Sequence, residues 1–436
     1  MSIRYGSLIN LQWPAGGVLH LRDVSGRYLP AAIRSGVPVK QIYVVGTADT
    51  KGEELTFLAD QIGALGAEPV LIDVGTRAPR IAVDISRAEI ADRGGEAAAE
   101  ALMSGDRGRA VAAMADAFAS FIGTRKDIAG IVGIGGGGGT SIVTAGMREL
   151  PLGLPKLMVS TLASSDVSPY VGVSDIVMMP SITDLAGLNR ISRVVLHNAA
   201  QAIVAMATRP APTQDYRRAI GLTMFGVTTP CVTAVSEQLR GTYDCLVFHA
   251  TGTGGRTMEK LAESSLLDGV IDITTTEICD LLFGGVLPAG EDRLDVIART
   301  KLPYVGSAGA LDMVNFWAPE TVPERYRNRL LYRHNSNVTL MRTTAEECST
   351  VGRWIGAKLS ACEGPVRFLI PEKGVSALDV EGGAFFDPAA DEALFSAIEI
   401  AMIPGPDRRI LRLPLHINDP EFARAAASAF LEMANR

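Results

Sequence analysis

The sequence of 436 residues has few cysteines, no long apolar run and no N-terminal signal-peptide pattern. Its five cysteines are widely spaced and contain no C-x-x-C pair, which argues against a disulfide framework and against a zinc site. Because no run of 18 or more apolar residues occurs, no membrane partner is predicted. We therefore expect a protein that is neither membrane-spanning nor exported, in a reducing cytoplasm.

The sequence also lacks a basic tract and the common catalytic signatures. Lys and Arg number 41 against 48 Asp and Glu, a net charge of −7, and the two signs are interspersed, so no nucleic-acid partner is predicted. There is no G-x-S-x-G nucleophile elbow, no H-E-x-x-H and no kinase-like H-R-D set. These absences disfavour a triad hydrolase, zinc chemistry and a protein kinase.

Apolar segments alternate with helical patterns along most of the chain. Hydrophobic residues make up 47% and charged residues 20%, and apolar strands flanked by helices are typical of parallel sheets covered on both faces. The predicted strands in the first half are QIYVVG, PVLIDVG, DIAGIVGIG, KLMVST and DIVMMP. Those in the second half are AIGLTMFG, YDCLVFHA, DGVIDITTTE, LPYVGSAG, NVTLMRTT, VRFLIP and RILRLPL. The pattern predicts an α/β fold of two Rossmann-like, doubly wound parallel-sheet domains.

The domain boundary is predicted at a linker. Residues 1–38 show no sustained period and are interpreted as an N-terminal extension, followed by a nucleotide-binding domain over 39–208. The alanine-rich stretch 95–119 reads as one helix within it. The segment RPAPTQD then separates this domain from a second Rossmann-like domain over 209–436. We expect a small-molecule metabolite to bind on the second domain's side of an interdomain cleft.

A run of glycines follows the third predicted strand and precedes a helix. Glycine lets backbone N–H groups converge on an anion, and a helix N-terminus adds partial positive charge. Phosphate contact is the favoured interpretation, and a tight turn is the structural alternative. The candidate cofactor-binding residues here are Gly135, Gly136, Gly137, Gly138, Gly139 and Thr140.

The loop after the first strand is the second candidate. It resembles a Walker A loop but fails its spacing, and the structural alternative is a capping box of Thr50 and Glu53. If the loop is functional, Lys51 suits a phosphate, and Asp49 suits a ribose hydroxyl or a hydrated Mg²⁺, which makes Asp49 the metal candidate. The cofactor-binding candidates are Gly46, Thr47, Asp49, Thr50 and Lys51.

Hydroxyl side chains end the fourth strand in the segment STLASSD. In a doubly wound sheet the end of this strand is expected beside the glycine run. Thr161 and Ser164 are therefore further cofactor-binding candidates. Plain helix caps are the alternative.

The second half carries its own glycine loop, which suits an anionic substrate group. His249 is a candidate general acid or base, Arg256 a catalytic cation and Glu277 a further catalytic candidate. The alternative for Glu277 is a capping box with Thr274, and Thr343-x-x-Glu346 is interpreted in the same way. The substrate-binding candidates are Thr251, Gly252, Thr253, Gly254 and Gly255.

Many ordered motifs resemble one known family. VVGTADTKGEEL, LIDVG, GIGGGGGT, VSTLAS, FHATGTGGRTMEKL, DITTTEI, GALDMVNFW and EGGAFFDP are similar to the ATP-binding domain family of the tomato mosaic virus resistance protein, from about residue 39 to the C-terminus. The resemblance implies two Rossmann-like subdomains, nucleotide contact from residues 46–51 and 135–140, and a homodimer. We expect a standalone member without the TIM-barrel domain of plant members.

Three functions are compatible with these residues. The first is an ATP-dependent metabolic enzyme that uses Mg²⁺ and transfers a phosphoryl group from ATP to a small anionic metabolite. The second is a non-catalytic, ATP-gated binding module. The third is an NAD-dependent oxidoreductase, suggested by Asp73 at the end of the second strand. Because the glycine run follows the third strand rather than the first, NAD ranks below ATP.

Overall fold

The computed structural model describes residues 41–208 and 217–434. These residues form two compact units, called here unit 1 (41–208) and unit 2 (217–434). The predicted extension over 1–38 and the predicted linker after residue 208 lie outside the described residues. Each unit is built around its own parallel sheet, which confirms the predicted fold class.

The sheet of unit 1 contains five parallel strands in the order β2-β1-β3-β4-β5. All five correspond to predicted strands, and β1, β3 and β4 are almost entirely buried, as apolar strands covered on both faces must be. The strands are β1 (Gln41–Gly46), β2 (Pro69–Asp73), β3 (Ile128–Gly135), β4 (Lys156–Ser160) and β5 (Val177–Pro180).

Helices cover both faces of this sheet. One core cluster joins Leu55 and Leu58 of α1 to Leu196 of α7, and a second joins Phe118 of α4 to Val143 of α5. The doubly wound arrangement predicted for this half is therefore present. The helices of unit 1 are α1 (Gly52–Ala64), α2 (Arg87–Ala91), α3 (Gly95–Met103), α4 (Arg107–Gly123), α5 (Gly137–Glu149), α6 (Ser168–Val171) and α7 (Arg190–Thr208).

The prediction of one helix over 95–119 is wrong, because the chain breaks between α3 and α4. Gly105 takes a φ of 74°, in the left-handed region that favours glycine. Asp106 then caps α4 by accepting hydrogen bonds from the amides of Gly108 and Arg109 at 2.8 and 3.2 Å. Alanine-rich sequence on both sides continues the helical pattern, so the break at Gly105 and Asp106 was not predicted.

Unit 2 contains a six-stranded parallel sheet in the order β14-β13-β9-β8-β6-β7 and a three-stranded antiparallel sheet in the order β10-β12-β11. The strand predicted in NVTLMRTT exists as β12, but it belongs to the antiparallel sheet, and β10 and β11 were not predicted. The strands are β6 (Arg218–Met224), β7 (Tyr243–His249), β8 (Gly269–Thr274), β9 (Tyr304–Gly309), β10 (Met313–Phe316), β11 (Leu331–Arg333), β12 (Thr339–Arg342), β13 (Val366–Pro371) and β14 (Arg408–Leu413).

The helices of unit 2 also pack on both faces of the parallel sheet. Cys231 of α8 and Phe430 of α14 share one core cluster, whereas Met258 of α9, Val351 of α12 and Leu394 of α13 share another. Within the described parts of the chain, no helix combines the length and apolar character needed to cross a bilayer. The helices are α8 (Thr229–Leu239), α9 (Thr253–Glu263), α10 (Glu277–Phe283), α11 (Asp295–Thr300), α12 (Ala345–Ser360), α13 (Pro388–Ala401) and α14 (Pro420–Ala434).

Close packing of α4 against α5 gives the first testable prediction. A Cβ at Gly146 of α5 would overlap the ring of Phe118. Gly146→Ala should therefore lower the free energy of unfolding by about 1–3 kcal/mol, the usual cost of overpacking a core. Urea unfolding of the full chain, followed by circular dichroism, measures the change.

The matched control is Gly123→Ala at the end of α4, where a Cβ would lie 3.9 Å from Glu149. This variant should be neutral or slightly stabilising, because alanine is the better helix former. Equal stability of the two variants would contradict the packing argument.

Candidate functional site

Two neighbouring strands position the site in unit 1. After each strand the chain turns toward a different face of the sheet. Val45 of β1 pairs with Gly133 of β3, so the loops that follow these strands lie side by side. The helix after β1, α1, packs on one face, whereas the helix after β3, α5, packs on the other. Such a switch point leaves a crevice at the carboxyl ends of the strands, where open α/β sheets bind ligands.

A cavity of about 380 Å³ occupies this crevice. It brings together residues from both predicted segments, Thr47–Lys51 and Gly136–Gly139. Sequence reasoning missed its third wall, which comes from the loop after β2 and from the α3–α4 junction and start of α4. The residues of this missed wall, together with Ile142 of α5, are Thr76, Arg77, Leu102, Gly105, Asp106, Arg107, Ala110 and Val111.

The four glycines Gly136–Gly139, called here the glycine cradle, are not required by packing. A Cβ built on any of them would meet no neighbouring atom closer than 3.4 Å. Gly135 differs, since its Cβ would lie 2.8 Å from backbone atoms of Gly139 and Thr140. A side chain would therefore be tolerated at these positions, and its absence lets a ligand in the cavity approach the backbone closely.

The cradle also forms the N-terminus of α5. No side chain caps this end, where Gly136 is the N-cap residue. The first amides of a helix have no partner within the helix and carry partial positive charge, so they attract anions. Thr140 lies behind the cradle, where its buried Oγ1 is 2.7 Å from Oγ of Ser160. The cradle has the features of an anion site.

The loop after β1 is held by contacts other than the predicted capping box. Lys51 is the N-cap residue of α1 without a side-chain cap, and Oγ1 of Thr50 lies 2.8 Å from Oγ1 of Thr47, so the Thr50–Glu53 interpretation is wrong. Lys51 Nζ donates to the carbonyl oxygen of Leu185. Lys51 also lines the cavity, and this bond fixes the direction of its side chain.

Thr161 and Ser164 do not line this cavity. Together with Thr183 and Asp184 they line a second cavity of about 380 Å³ at the carboxyl ends of β4 and β5. The amide of Thr161 donates to the carbonyl of Gly135 at 3.2 Å, which places the second cavity next to the strand end that carries the cradle. Their role as cofactor contacts stays a prediction.

Asp73 is enclosed by backbone rather than exposed to the cavity. Its Oδ1 accepts hydrogen bonds from the amides of Ala48 at 3.0 Å and Gly75 at 2.8 Å. Burial raises the pKa of Asp73, opposed by these two amides. The carboxylate of Asp73 is not among the cavity-lining groups, so the geometry does not support a contact between Asp73 and a ribose.

The glycine loop of unit 2 follows the edge strand β7, away from the strand pair β6–β8 at which its own sheet reverses. Packing explains its glycines. Gly252 has a φ of 74° and its Cβ would overlap the carbonyl of Pro288, whereas a Cβ on Gly254 would overlap the backbone of His249. A Cβ on Gly255 would overlap the carboxylate of Glu277.

Glu277 is buried in an ionic network. Its Oε1 lies 2.6 Å from Nε of Arg293, and its Oε2 accepts the amide of Gly252 at 2.6 Å. Arg293 also pairs with Asp272 and Glu259, at 2.8 Å each. Glu277 therefore fixes the glycine loop, and the capping-box interpretation with Thr274 is wrong.

The remaining predicted groups of unit 2 lie at the surface. His249 and Arg256 are exposed, and Nε of Arg256 donates to the carbonyl of Gly252 at 3.2 Å. Their catalytic roles stay predictions. The second predicted capping box is displaced by one residue, since Thr344 and Glu347 form it at the start of α12.

A second buried charge cluster surrounds Arg342 in unit 2. Its Nη2 lies 2.7 Å from Asp391 and 3.8 Å from Asp379. Burial raises the pKa of Asp391 to about 8 and that of Asp312 to about 7, with repulsion from Asp379 adding to both shifts. One arginine faces three carboxyl groups, so protons are retained here near neutral pH.

The sequence matches two models of one family. The model described as the uncharacterised protein family (UPF0261) N-terminal domain matches residues 40–212, and the model described as its C-terminal domain matches residues 217–434. The UPF0261 protein RA0729 of Rhizobium meliloti (strain 1021) is 70% identical over 397 residues, which are 91% of this chain and 100% of that protein. The UPF0261 protein of Clostridium tetani (strain Massachusetts / E88) is 44% identical over 404 residues, with 91% and 100% coverage.

A plant protein is similar over part of its length. The ToMV resistance protein Tm-1(GCR237) of Solanum lycopersicum is 38% identical over 420 residues, which are 90% of this chain and 56% of that protein. The predicted family link is confirmed. The name of the tomato protein mentions no nucleotide, so ATP binding stays a prediction.

The cluster around Arg342 predicts a pH dependence of stability. An aspartate normally titrates near pH 3.9, so between about pH 4 and 8 the folded chain holds protons on Asp312 and Asp391 that the unfolded chain has released. The stability of unit 2 should therefore fall as pH rises from about 6 to 9. Thermal unfolding followed by the fluorescence of Trp317 and Trp354, both in unit 2, measures this.

Asp391→Asn should remove part of this pH dependence, because the amide cannot titrate. The control Glu320→Gln changes an exposed carboxylate of the same unit and should keep the wild-type slope. A wild-type midpoint temperature that rises between pH 6 and 9 would contradict the prediction.

Proposed function

The chain belongs to the UPF0261 family, and from the glycine cradle of unit 1 we propose that it is an ATP-binding protein whose nucleotide phosphates lie on Gly136–Gly139. The observation that carries the proposal is the free space above these four glycines at an uncapped helix N-terminus. A turn explains the tightly packed Gly135 but not four further glycines at which the neighbouring atoms would tolerate a Cβ. Phosphate oxygens close to backbone amides would use that space.

The charges on the cavity wall favour an anionic ligand. Lys51, Arg77 and Arg107 all line the cavity. Among residues 41–208 and 217–434, neither Arg77 nor Arg107 has an ion-pair or side-chain hydrogen-bond partner, so both guanidinium groups remain available to phosphate oxygens.

Apolar side chains in the cavity lining suit a nucleobase. Leu102, Ala110, Val111 and Ile142 contribute apolar surface next to the charged groups. Small-molecule sites typically combine apolar walls with a few polar groups that fix orientation, and their volumes start at about 300 Å³. A cavity lined by glycines that suit phosphate and by aliphatic side chains that suit a base matches the two chemical parts of a nucleotide.

ATP is favoured over NAD by the position of the glycines. In dinucleotide-binding Rossmann domains the glycine-rich turn follows the first strand, and an acidic residue at the end of the second strand binds the ribose. Here the cradle follows β3, and Asp73 at the end of β2 is enclosed by the amides of Ala48 and Gly75. Both differences disfavour an NAD-dependent oxidoreductase.

Asp49 fits a metal associated with the nucleotide. Its carboxylate lines the cavity, and its Oδ1 is buried without a hydrogen-bond partner in the structure. A carboxylate oxygen of this kind suits Mg²⁺, which would neutralise phosphate charge when bound. Within the described residues no cluster of three or more His, Cys, Asp or Glu forms a metal site made of protein ligands alone. Mg²⁺ commonly uses one or two carboxylates together with substrate phosphates.

We further propose that the protein transfers a phosphoryl group from ATP to a small anionic metabolite. We also propose that it acts as a homodimer in the cytoplasm. The non-catalytic, ATP-gated module is the alternative. The two differ in one readout, since only the enzyme releases ADP in the presence of an acceptor. Screening of acidic metabolites for acceptor-dependent ADP release separates them.

The cradle predicts that one added methyl group weakens nucleotide binding without harming the fold. In Gly137→Ala the new Cβ would lie 3.9 Å from Leu162, so the protein accommodates it. The methyl group would occupy the space assigned to phosphate, and ATP affinity should fall at least about tenfold, or about 1.4 kcal/mol. Titration calorimetry with ATP, ADP, AMP and NAD⁺, each with and without Mg²⁺, measures the effect.

Gly123→Ala, a helical glycine outside the cavity, is the matched control and should bind ATP like the wild type. Circular dichroism should show both variants folded. Unchanged ATP binding by Gly137→Ala, or tighter binding of NAD⁺ than of ATP by the wild type, would overturn the proposal.

A further inference from the structure

Two carboxylates meet beside the cradle cavity. Asp49 follows β1 and Asp73 ends β2, two strands that pair in parallel with Gly46 opposite Asp73. A Cβ built on Gly75 would lie 3.0 Å from Oδ1 of Asp49 and 2.8 Å from Oδ1 of Asp73. An oxygen of each carboxylate therefore lies close to Gly75, where any side chain would collide with both.

Each carboxylate has a buried oxygen without a partner. Asp73 is 0% exposed, and although its Oδ1 accepts two backbone amides, its Oδ2 accepts none. Oδ1 of Asp49 is buried and also lacks a donor. Two neighbouring carboxylates with unsatisfied oxygens are costly, because desolvation and mutual repulsion both oppose ionisation.

No protein cation compensates this pair. Over the described parts of both units, no lysine, arginine or histidine forms an ion pair with Asp49 or Asp73, and Lys51 is directed to the carbonyl of Leu185. The attraction of Arg87 for Asp73 is only a minor influence on that carboxyl group. A cation from solution would therefore have no protein ion pair to displace at these two carboxylates.

We propose that Asp49 and Asp73 together bind one divalent cation, Mg²⁺ or Mn²⁺, beside the cradle cavity, where the carboxylate of Asp49 forms part of the cavity wall. Hard oxygen donors select such ions, and Mg²⁺ is commonly held by one or two carboxylates while it keeps several waters. Neither histidine nor cysteine lines the cavity, which disfavours zinc or copper.

The inference deepens the proposed function and rests on it for the role of the ion, which would be placed to meet phosphate oxygens from the cradle. The binding of the ion itself rests on the two carboxylates alone. Asp73 would therefore be a metal ligand rather than a ribose contact. The full chain should bind the cation in the absence of any nucleotide.

The test uses Mn²⁺ alone, whose free-ion electron paramagnetic resonance signal disappears on binding. The full-length wild type should show one saturable site that Mg²⁺ competes for. Asp73→Asn and Asp49→Asn should each weaken this site at least about tenfold, because each removes one ionised ligand. Asp60→Asn, which changes an exposed carboxylate of α1, should bind as the wild type does.

Asp49→Asn keeps the test decisive if Asp73→Asn fails to fold, because Asp49 is only half-buried. Mn²⁺ should also raise the unfolding temperature of the wild type and not that of Asp49→Asn, since a ligand stabilises only the form that binds it. Absence of a saturable Mn²⁺ site in the wild type, or unaltered Mn²⁺ binding in either variant, would overturn the inference.

Failure of this inference and failure of the proposed function are distinguishable. Titration with ATP in EDTA reports on the cradle without the metal, whereas Mn²⁺ titration without ATP reports on the carboxylate pair. A wild type that binds Mn²⁺ but does not bind ATP would contradict only the proposed function. ATP binding in EDTA by a wild type without a Mn²⁺ site would contradict only the metal inference.

Discussion

The candidate site depends on the parallel pairing of β1 with β3. This pairing places Val45 opposite Gly133, so that the two following loops emerge together while their helices leave to opposite faces of the sheet. The approach is close, since a Cβ on Gly46 would lie 3.0 Å from the carbonyl oxygen of Ile134. Two glycines, Gly46 and Gly135, are thus required by packing, and that packing places the glycine cradle at the mouth of the crevice.

The strand order around the first strand of unit 2 is the same as that in unit 1. In unit 2, however, buried side chains pack at the position that corresponds to the crevice. Its parallel strands run β7-β6-β8-β9-β13-β14, which repeats the arrangement β2-β1-β3-β4-β5 with one strand added. Beyond β6 and β8, Oγ1 of Thr228 lies 2.7 Å from Oγ1 of Thr274, and both threonines are buried. A small apolar cluster formed by Val227, Ala310, Met313, Leu340 and Phe385 lies in the same region.

Much of the fold could be predicted from the sequence, because buried parallel strands leave continuous apolar runs. The glycine cradle and the loop after β1 could be predicted too, since each is a local pattern at a strand end. The wall formed by Leu102, Arg107 and Val111 could not, because tertiary packing of the α3–α4 junction brings it there. The partnership of Glu277 with Arg293 lacks a local signal for the same reason, and so the capping-box pattern was misleading.

The two glycine loops show why composition alone ranks sites poorly. GIGGGGGT and HATGTGGRT have similar sequences, but the first follows β3 at a switch point and the second follows an edge strand. By strand order, the segment of unit 2 that corresponds to the cradle is TTTE at the end of β8. Threonines stand there instead of glycines, and Oγ1 of Thr274 bonds to Oγ1 of Thr228 in the loop after β6. Gly252, Gly254 and Gly255 are glycines because neighbouring backbone and the carboxylate of Glu277 leave no room for a Cβ. At Gly136–Gly139, by contrast, a Cβ would make only ordinary van der Waals contacts, so packing does not require glycine there. A ligand that approaches the backbone closely explains these four glycines best.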